Sequence, residues 1–296
     1  MLTLANRQLR VDLLDPVTDR ALLGPRFCWG GFIWQVHDRH WGPLLTGPEW
    51  PSPTPSAWNA QGLPESFRHR TRGGTPLTWN ADRGVALGAG ELALNHAGEP
   101  EVVTPCNWEI TTHSDHIAFH TRQQAAGFDY ELTRKIELDD RTVVSFSKLT
   151  NHSTAPLHLE WFAHPFFALT AGLIRAKLPE GTTLAENPGF VLSGRELTQK
   201  QPFTGNKEGH MDFLSLPKAK NLTAQLSHPL IEKIDFECSF APTECPIWGN
   251  SNTFSIEPYQ LLTLASGHSS EWNLHYVFGE AIPTSNNISF RSPTPP

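Results

Sequence analysis

Apolar and polar residues alternate with a period of two through much of this 296-residue chain, and almost no stretch sustains the i, i+3, i+4 apolar spacing of a helix. The clearest passage runs from Tyr130 to Ala168. Leu132 to Leu138, Thr142 to Leu149 and Leu157 to Phe162 alternate or fill with β-branched and aromatic residues, while Asp139-Asp140-Arg141 and Asn151 to Pro156 read as turns. The pattern predicts a β-meander there. Two more strands are expected around Ser227-His228-Pro229 within Leu222 to Phe240, and Thr253 to Leu264 is expected to pair with Glu271 to Phe278 across Ala265 to His268. Evenly spaced strands of this kind predict an all-β protein, a large antiparallel β-sandwich. The six prolines and three glycines from Gly42 to Pro64 exclude a central strand, so this stretch is expected to be a long loop. The tail after Glu280, closing on Pro293-Thr294-Pro295-Pro296, is expected to fray.

Composition changes this picture little. A hydrophobic fraction of 39% against 18% charged residues fits a folded chain rather than a disordered one. The net charge of -7 is scattered without long runs, which argues against nucleic acid or an anionic membrane as partner. Met1 to Arg20 lacks the uninterrupted apolar core of a secretory signal, so a cytoplasmic protein is expected. Cys28, Cys106, Cys238 and Cys245 form no C-x-x-C pair and read as free thiols.

Two strand ends carry ionisable residues directly before a proline. In Leu157 to His164, alternation puts His158, Glu160, Phe162 and His164 on one face, and Pro165 takes the chain out of the sheet. In Phe254 to Tyr259, Ser255, Glu257 and Tyr259 share a face opposite Ile256, and the apolar company of Glu257 should raise its pKa toward the range useful to a general base. Taken singly, each of the two reads as an ordinary structural side chain.

Together they sit in matching contexts. Arg134 to Leu138, Leu149-Thr150-Asn151-His152-Ser153 and Trp161-Phe162-Ala163-His164-Pro165-Phe166-Phe167 resemble motifs of the galactose mutarotase-like, or aldose 1-epimerase, superfamily. Ser255-Ile256-Glu257-Pro258, then Leu264 to Gly267 and Trp272 to Phe278, are similar to that family's second catalytic segment, and Gly24-Pro25-Arg26-Phe27 with Gly30-Gly31 extend the likeness to the start of the chain. The resemblance implies one sandwich domain over residues 1–280, with His164 as general acid and Glu257 as general base. It implies an isomerase of carbohydrate metabolism that interconverts the α and β anomers of a hexose or hexose phosphate. It implies a small-molecule sugar as partner, a monomer or homodimer, and no metal or organic cofactor.

The chain also departs from the family. The second histidine, in an early His-Gly-Gly turn, is missing. Arg72-Gly73-Gly74-Thr75-Pro76-Leu77 resembles the hexose-6-phosphate branch, and Arg68, Arg70 and Arg72 are expected to alternate onto one strand face where guanidinium forks could hold an anion. Substrate contacts are expected from Arg72, from Asp212 in a weak match to an Asp-His-x-Phe pattern, and from Trp161 and Trp248 near the proposed pair. His113, His116 and His120 look like a metal set, but strand geometry is expected to point positions 113 and 116 to opposite faces. The missing histidine also leaves a second reading, a catalytically silent carbohydrate-binding protein on the same fold. Either way, acid and base must lie within about 10 Å of each other to reach one sugar.

Overall fold

A computed structural model describes residues 1–205 and 209–280, so the tail expected to fray lies outside the described residues. The alternation along the sequence becomes strands throughout, and their mutual pairings run antiparallel. Among the described residues there is one short 3-10 turn, Arg20–Leu22, and no α-helix.

Among the described residues the largest sheet has ten strands, with Phe128–Asp139, Thr142–Asn151, Ser269–Phe278 and Lys233–Cys238 adjacent at its centre. Phe128–Asp139 shows why it forms. Tyr130, Leu132, Arg134, Ile136 and Leu138 are buried, and the residues between them are only half-buried. One face therefore belongs to the core and the other is partly wetted. A three-stranded sheet, ordered Tyr259–Leu264, Leu157–Ala163, Glu65–Arg68, packs on it through Trp161 and Phe67, whose rings lie 5.2 and 6.0 Å from Trp272. Beside it stands a four-stranded sheet that includes His210–Ser215, Cys245–Gly249 and Phe254–Ile256.

Strand positions follow the sequence, but two pairings do not. Phe128–Asp139 and Thr142–Asn151 pair as expected. The third strand of the predicted meander, Leu157–Ala163, instead joins the three-stranded sheet, and Thr142–Asn151 pairs with Ser269–Phe278. The hairpin expected between 253–264 and 271–278 is likewise absent, because Tyr259–Leu264 pairs with Leu157–Ala163. Leu157, Leu159 and Trp161 are all buried and Trp161 packs on Trp272 of Ser269–Phe278, which requires the two strands to face each other across the sandwich rather than lie side by side. Around Ser227 the prediction holds, with Thr223–Ser227 paired to Lys233–Cys238.

The long loop between Gly42–Pro43 and Glu65–Arg68 is tied at its ends. Gly62 N–H donates to Thr46 O at 3.0 Å and Leu63 N–H to Ile33 O at 2.9 Å. Gly62 sits at φ +82, where a Cβ would fall 2.3 Å from Ile33 O, so glycine is required. Midway, the Glu49 carboxylate accepts from Ser56 and Asn59. All four cysteines are free and buried.

Candidate active site

His164 and Glu257 stand just past the ends of their strands, Leu157–Ala163 and Phe254–Ile256. Each is fixed by its backbone, His164 N–H donating to Pro64 O and Glu257 N–H to Pro246 O, both at 2.8 Å. Phe167 and Phe254 exchange backbone hydrogen bonds, 2.8 and 3.1 Å, so the segment leaving His164 runs beside the one arriving at Glu257. The side chains meet, with His164 Nε2 at 3.5 Å from Glu257 Oε1. On its far side the imidazole is held by Ser255, whose Oγ lies 3.1 Å from Nδ1. A hydroxyl can donate to a neutral imidazole nitrogen or accept from a protonated one, so this contact survives a change of charge on the ring.

Both groups are nearly dry, 4% and 5% exposed, and the His164 ring packs among Phe27, Phe166 and Trp248. Burial lifts the Glu257 carboxyl from 4.5 to about 7, although Arg26, Arg72 and Arg68 pull it back. Burial, reinforced by Arg26, pushes His164 well below its ordinary value. The 3.5 Å contact is therefore one between a neutral imidazole and a carboxyl that titrates near neutrality, rather than a fixed ion pair. The single proton that the pair holds below about pH 7 belongs to the pair as a unit.

The pair opens onto a cleft of about 1010 Å³ whose walls include Arg26, Arg68, His69, Arg70, Arg72, Trp248 and Tyr259. The three arginines near position 70 all reach it, though not from one strand face as expected: the strand stops at Arg68 and the rest follow in a turn. Arg68 pairs with Glu160 at 3.4 Å, Arg72 pairs with Glu244 at 3.2 Å, and Arg70 lies over Trp79 at 4.6 Å. Burial opposes the charge of Arg72, but Tyr259, Glu244 and Glu257 outweigh it and raise its pKa.

Two sequence expectations fall away. Trp161 is fully buried and packs against Trp272 and Phe240, on the face opposite the cleft, because positions 161 and 162 of one strand point to opposite sides. Asp212 turns off the cleft toward His210, 3.7 Å away, while its neighbour Met211 lines it, again by alternation. Sequence reasoning missed Arg26 and His69. Arg26 lies in the resembling stretch Gly24 to Phe27, and His69 sits between Arg68 and Arg70. Burial and the adjacent Arg70 and Arg68 lower His69 to about 4, and its Nδ1 accepts from Trp79 Nε1–H at 3.0 Å, so the neutral ring carries its proton on Nε2. Among the described residues no group of three or more His, Cys, Asp or Glu side chains is placed to hold a metal. His113 and His116 do not point apart as expected, since they flank a turn and their rings stack at 4.3 Å.

No protein-family model and no curated protein matches the sequence. Solved structures do match in fold. A galactose mutarotase-like protein from Lactobacillus casei superposes with TM-score 0.61 at 14% identity, covering 94% of this chain and 99% of its own. A galactose mutarotase related enzyme from Lactobacillus acidophilus gives 0.62 at 13%, covering 95% and 98%. A candidate aldose 1-epimerase from Escherichia coli K12 gives 0.55 at 17%, covering 94% and 98%. The chain has the galactose mutarotase-like β-sandwich fold.

Proposed function

We propose that this chain, built on the galactose mutarotase-like fold, is an aldose 1-epimerase in which Glu257 is the general base and His164 the general acid. The observation that carries the reading is their 3.5 Å approach at the floor of the cleft. Ring opening needs a proton taken from the anomeric hydroxyl and one given to the ring oxygen, and both oxygens are bonded to the same carbon. Acid and base must therefore be neighbours rather than face each other across the sugar.

Glu257 takes the hydroxyl proton, and the freed O–H pair becomes the second bond of the aldehyde carbonyl. The bond from the anomeric carbon to the ring oxygen breaks, and its electron pair takes the His164 proton. Rotation of the aldehyde and the reverse proton transfers close the ring on its other face. The active form is the one-proton pair in the arrangement that places the proton on His164 and leaves Glu257 ionised, reached by transfer across the 3.5 Å contact. Ser255 can hold the ring in both charge states, and the desolvated Glu257, titrating near 7, needs little driving force to change protonation. Arg72 and Trp248 are assigned to the sugar's hydroxyls and face, and His69, with Nε2–H free to donate, stands in for the family's missing second histidine.

Polarimetry on freshly dissolved α-glucose and α-galactose tests this. The wild type accelerates the approach to equilibrium, and Glu257→Gln, which keeps the shape but cannot take a proton, loses roughly 10²- to 10⁴-fold. A wild type that leaves the spontaneous rate unchanged on hexoses and on hexose 6-phosphates overturns the reading in favour of a silent sugar-binding protein.

A further inference from the structure

Three of the large apolar side chains that stay exposed among the described residues gather around the site. Trp58, Met211 and Phe213 are 66%, 47% and 39% exposed. Trp58 and Met211 border the cleft, while Phe213 borders a separate groove of about 550 Å³. Arg72 lines both spaces, with its guanidinium 4.6 Å from the Phe213 ring and 5.2 Å from Tyr259. It therefore stands between cleft and groove, which lie on either side of its side chain. A cleft of about 1010 Å³ already sits at the upper end of what drug-sized ligands occupy, and one pyranose held at His164 and Glu257 would leave much of it, and all of the groove, unused.

The charges narrow the choice of occupant. Arg68 and Arg72 already hold Glu160 and Glu244, Arg26 acts electrostatically on Glu257 while donating to Trp58 O, and Arg70 is stacked over Trp79 with Glu99 in the same lining. Paired guanidinium and carboxylate groups offer donors and acceptors side by side, which suits neutral hydroxyls better than a phosphate that would have to displace the carboxylates. Resting on the mutarotase reading, we infer that the substrate is the reducing end of a neutral saccharide of two or more units. Its anomeric ring sits at His164 and Glu257, and the next unit passes Arg72 to lay its apolar C–H face on Phe213. In a 1,4-linked chain the anomeric carbon and the linkage oxygen lie at opposite ends of the ring, so the pair can work on one end while the chain leaves from the other.

Polarimetry with maltose, glucose and glucose 6-phosphate tests the subsite, with calorimetric binding of the same sugars to Glu257→Gln as a readout that needs no turnover. The expected result is a kcat/KM for maltose roughly tenfold above that for glucose, the same order of affinities in Glu257→Gln, and a maltose-to-glucose ratio that Phe213→Ala brings close to one. Equal rates and affinities for maltose and glucose, a preference for glucose 6-phosphate, or a ratio unmoved by Phe213→Ala overturns the inference. Tighter maltose binding without acceleration of any sugar upholds the subsite and strikes the enzymatic reading instead. The absence of both removes the two together.

Discussion

At the scale of single residues, burial governs Glu257. Its carboxyl binds a proton up to about pH 7 in the folded chain but only up to the ordinary 4.5 when unfolded. Between those values the folded state holds more protons, so this group's contribution to stability is most favourable below 4.5 and is lost as pH rises through 7. Glu257→Gln removes this cost and should stabilise the protein at pH 8 by up to about 3 kcal/mol, an advantage that shrinks toward pH 5. Urea unfolding at the two pH values checks it, and equal stability at pH 8 would mean that the carboxyl is not desolvated. Under the proposed mechanism the same proton sets the rate. As the pair loses it above about pH 7, kcat/KM should fall, while the limb on the acid side lies well below the ordinary histidine range.

Among the elements, Leu157–Ala163 shows both the reach and the limit of alternation. The period of two separates Phe162 and His164 from Leu159 and Trp161, yet nearness to His164 in sequence alone points Trp161 toward the sugar. Its indole belongs to the seam with Trp272. Trp161→Ala should therefore lower stability by about 3–5 kcal/mol in urea unfolding without changing KM in the folded fraction. A KM effect with unchanged stability would return Trp161 to the site. Asp212 fails for the same reason, one residue out of phase with the cleft.

Across the whole molecule, a buried network ties the ten-stranded sheet to the site. Arg134, 1% exposed, forks onto Glu65 at 2.5 and 2.6 Å and reaches Ser145 at 2.9 Å. Glu65 opens the strand that ends on Arg68, its carbonyl accepts from Cys28 N–H two residues past Arg26, and Pro64 O beside it accepts from His164 N–H. Arg134→Met leaves a buried carboxylate without its partner and should cost about 3–5 kcal/mol, whereas Arg134→Met with Glu65→Leu should recover much of that loss. Melting curves of the two variants decide it, and a double variant no more stable than the single one would show that the pair does not act as a unit.

The sequence by itself determined the strands of the clearest alternating passages, the inward and outward faces of Leu157–Ala163, the long stretch from Gly42 to Pro64 as mostly loop, and the motif contexts that single out His164 and Glu257. These are local properties, since side-chain direction along a strand and the break imposed by a following proline depend on a few neighbouring residues. Tertiary structure decided which strands pair, because an apolar face specifies that it must be covered and not by what. It also decided the 3.5 Å between His164 and Glu257, the desolvation that moves the Glu257 carboxyl to about 7, and the presence of Arg26 and His69 in the cleft. Those follow from residues more than ninety positions apart meeting in one dry place, and burial is a property of the packed chain rather than of any stretch of it.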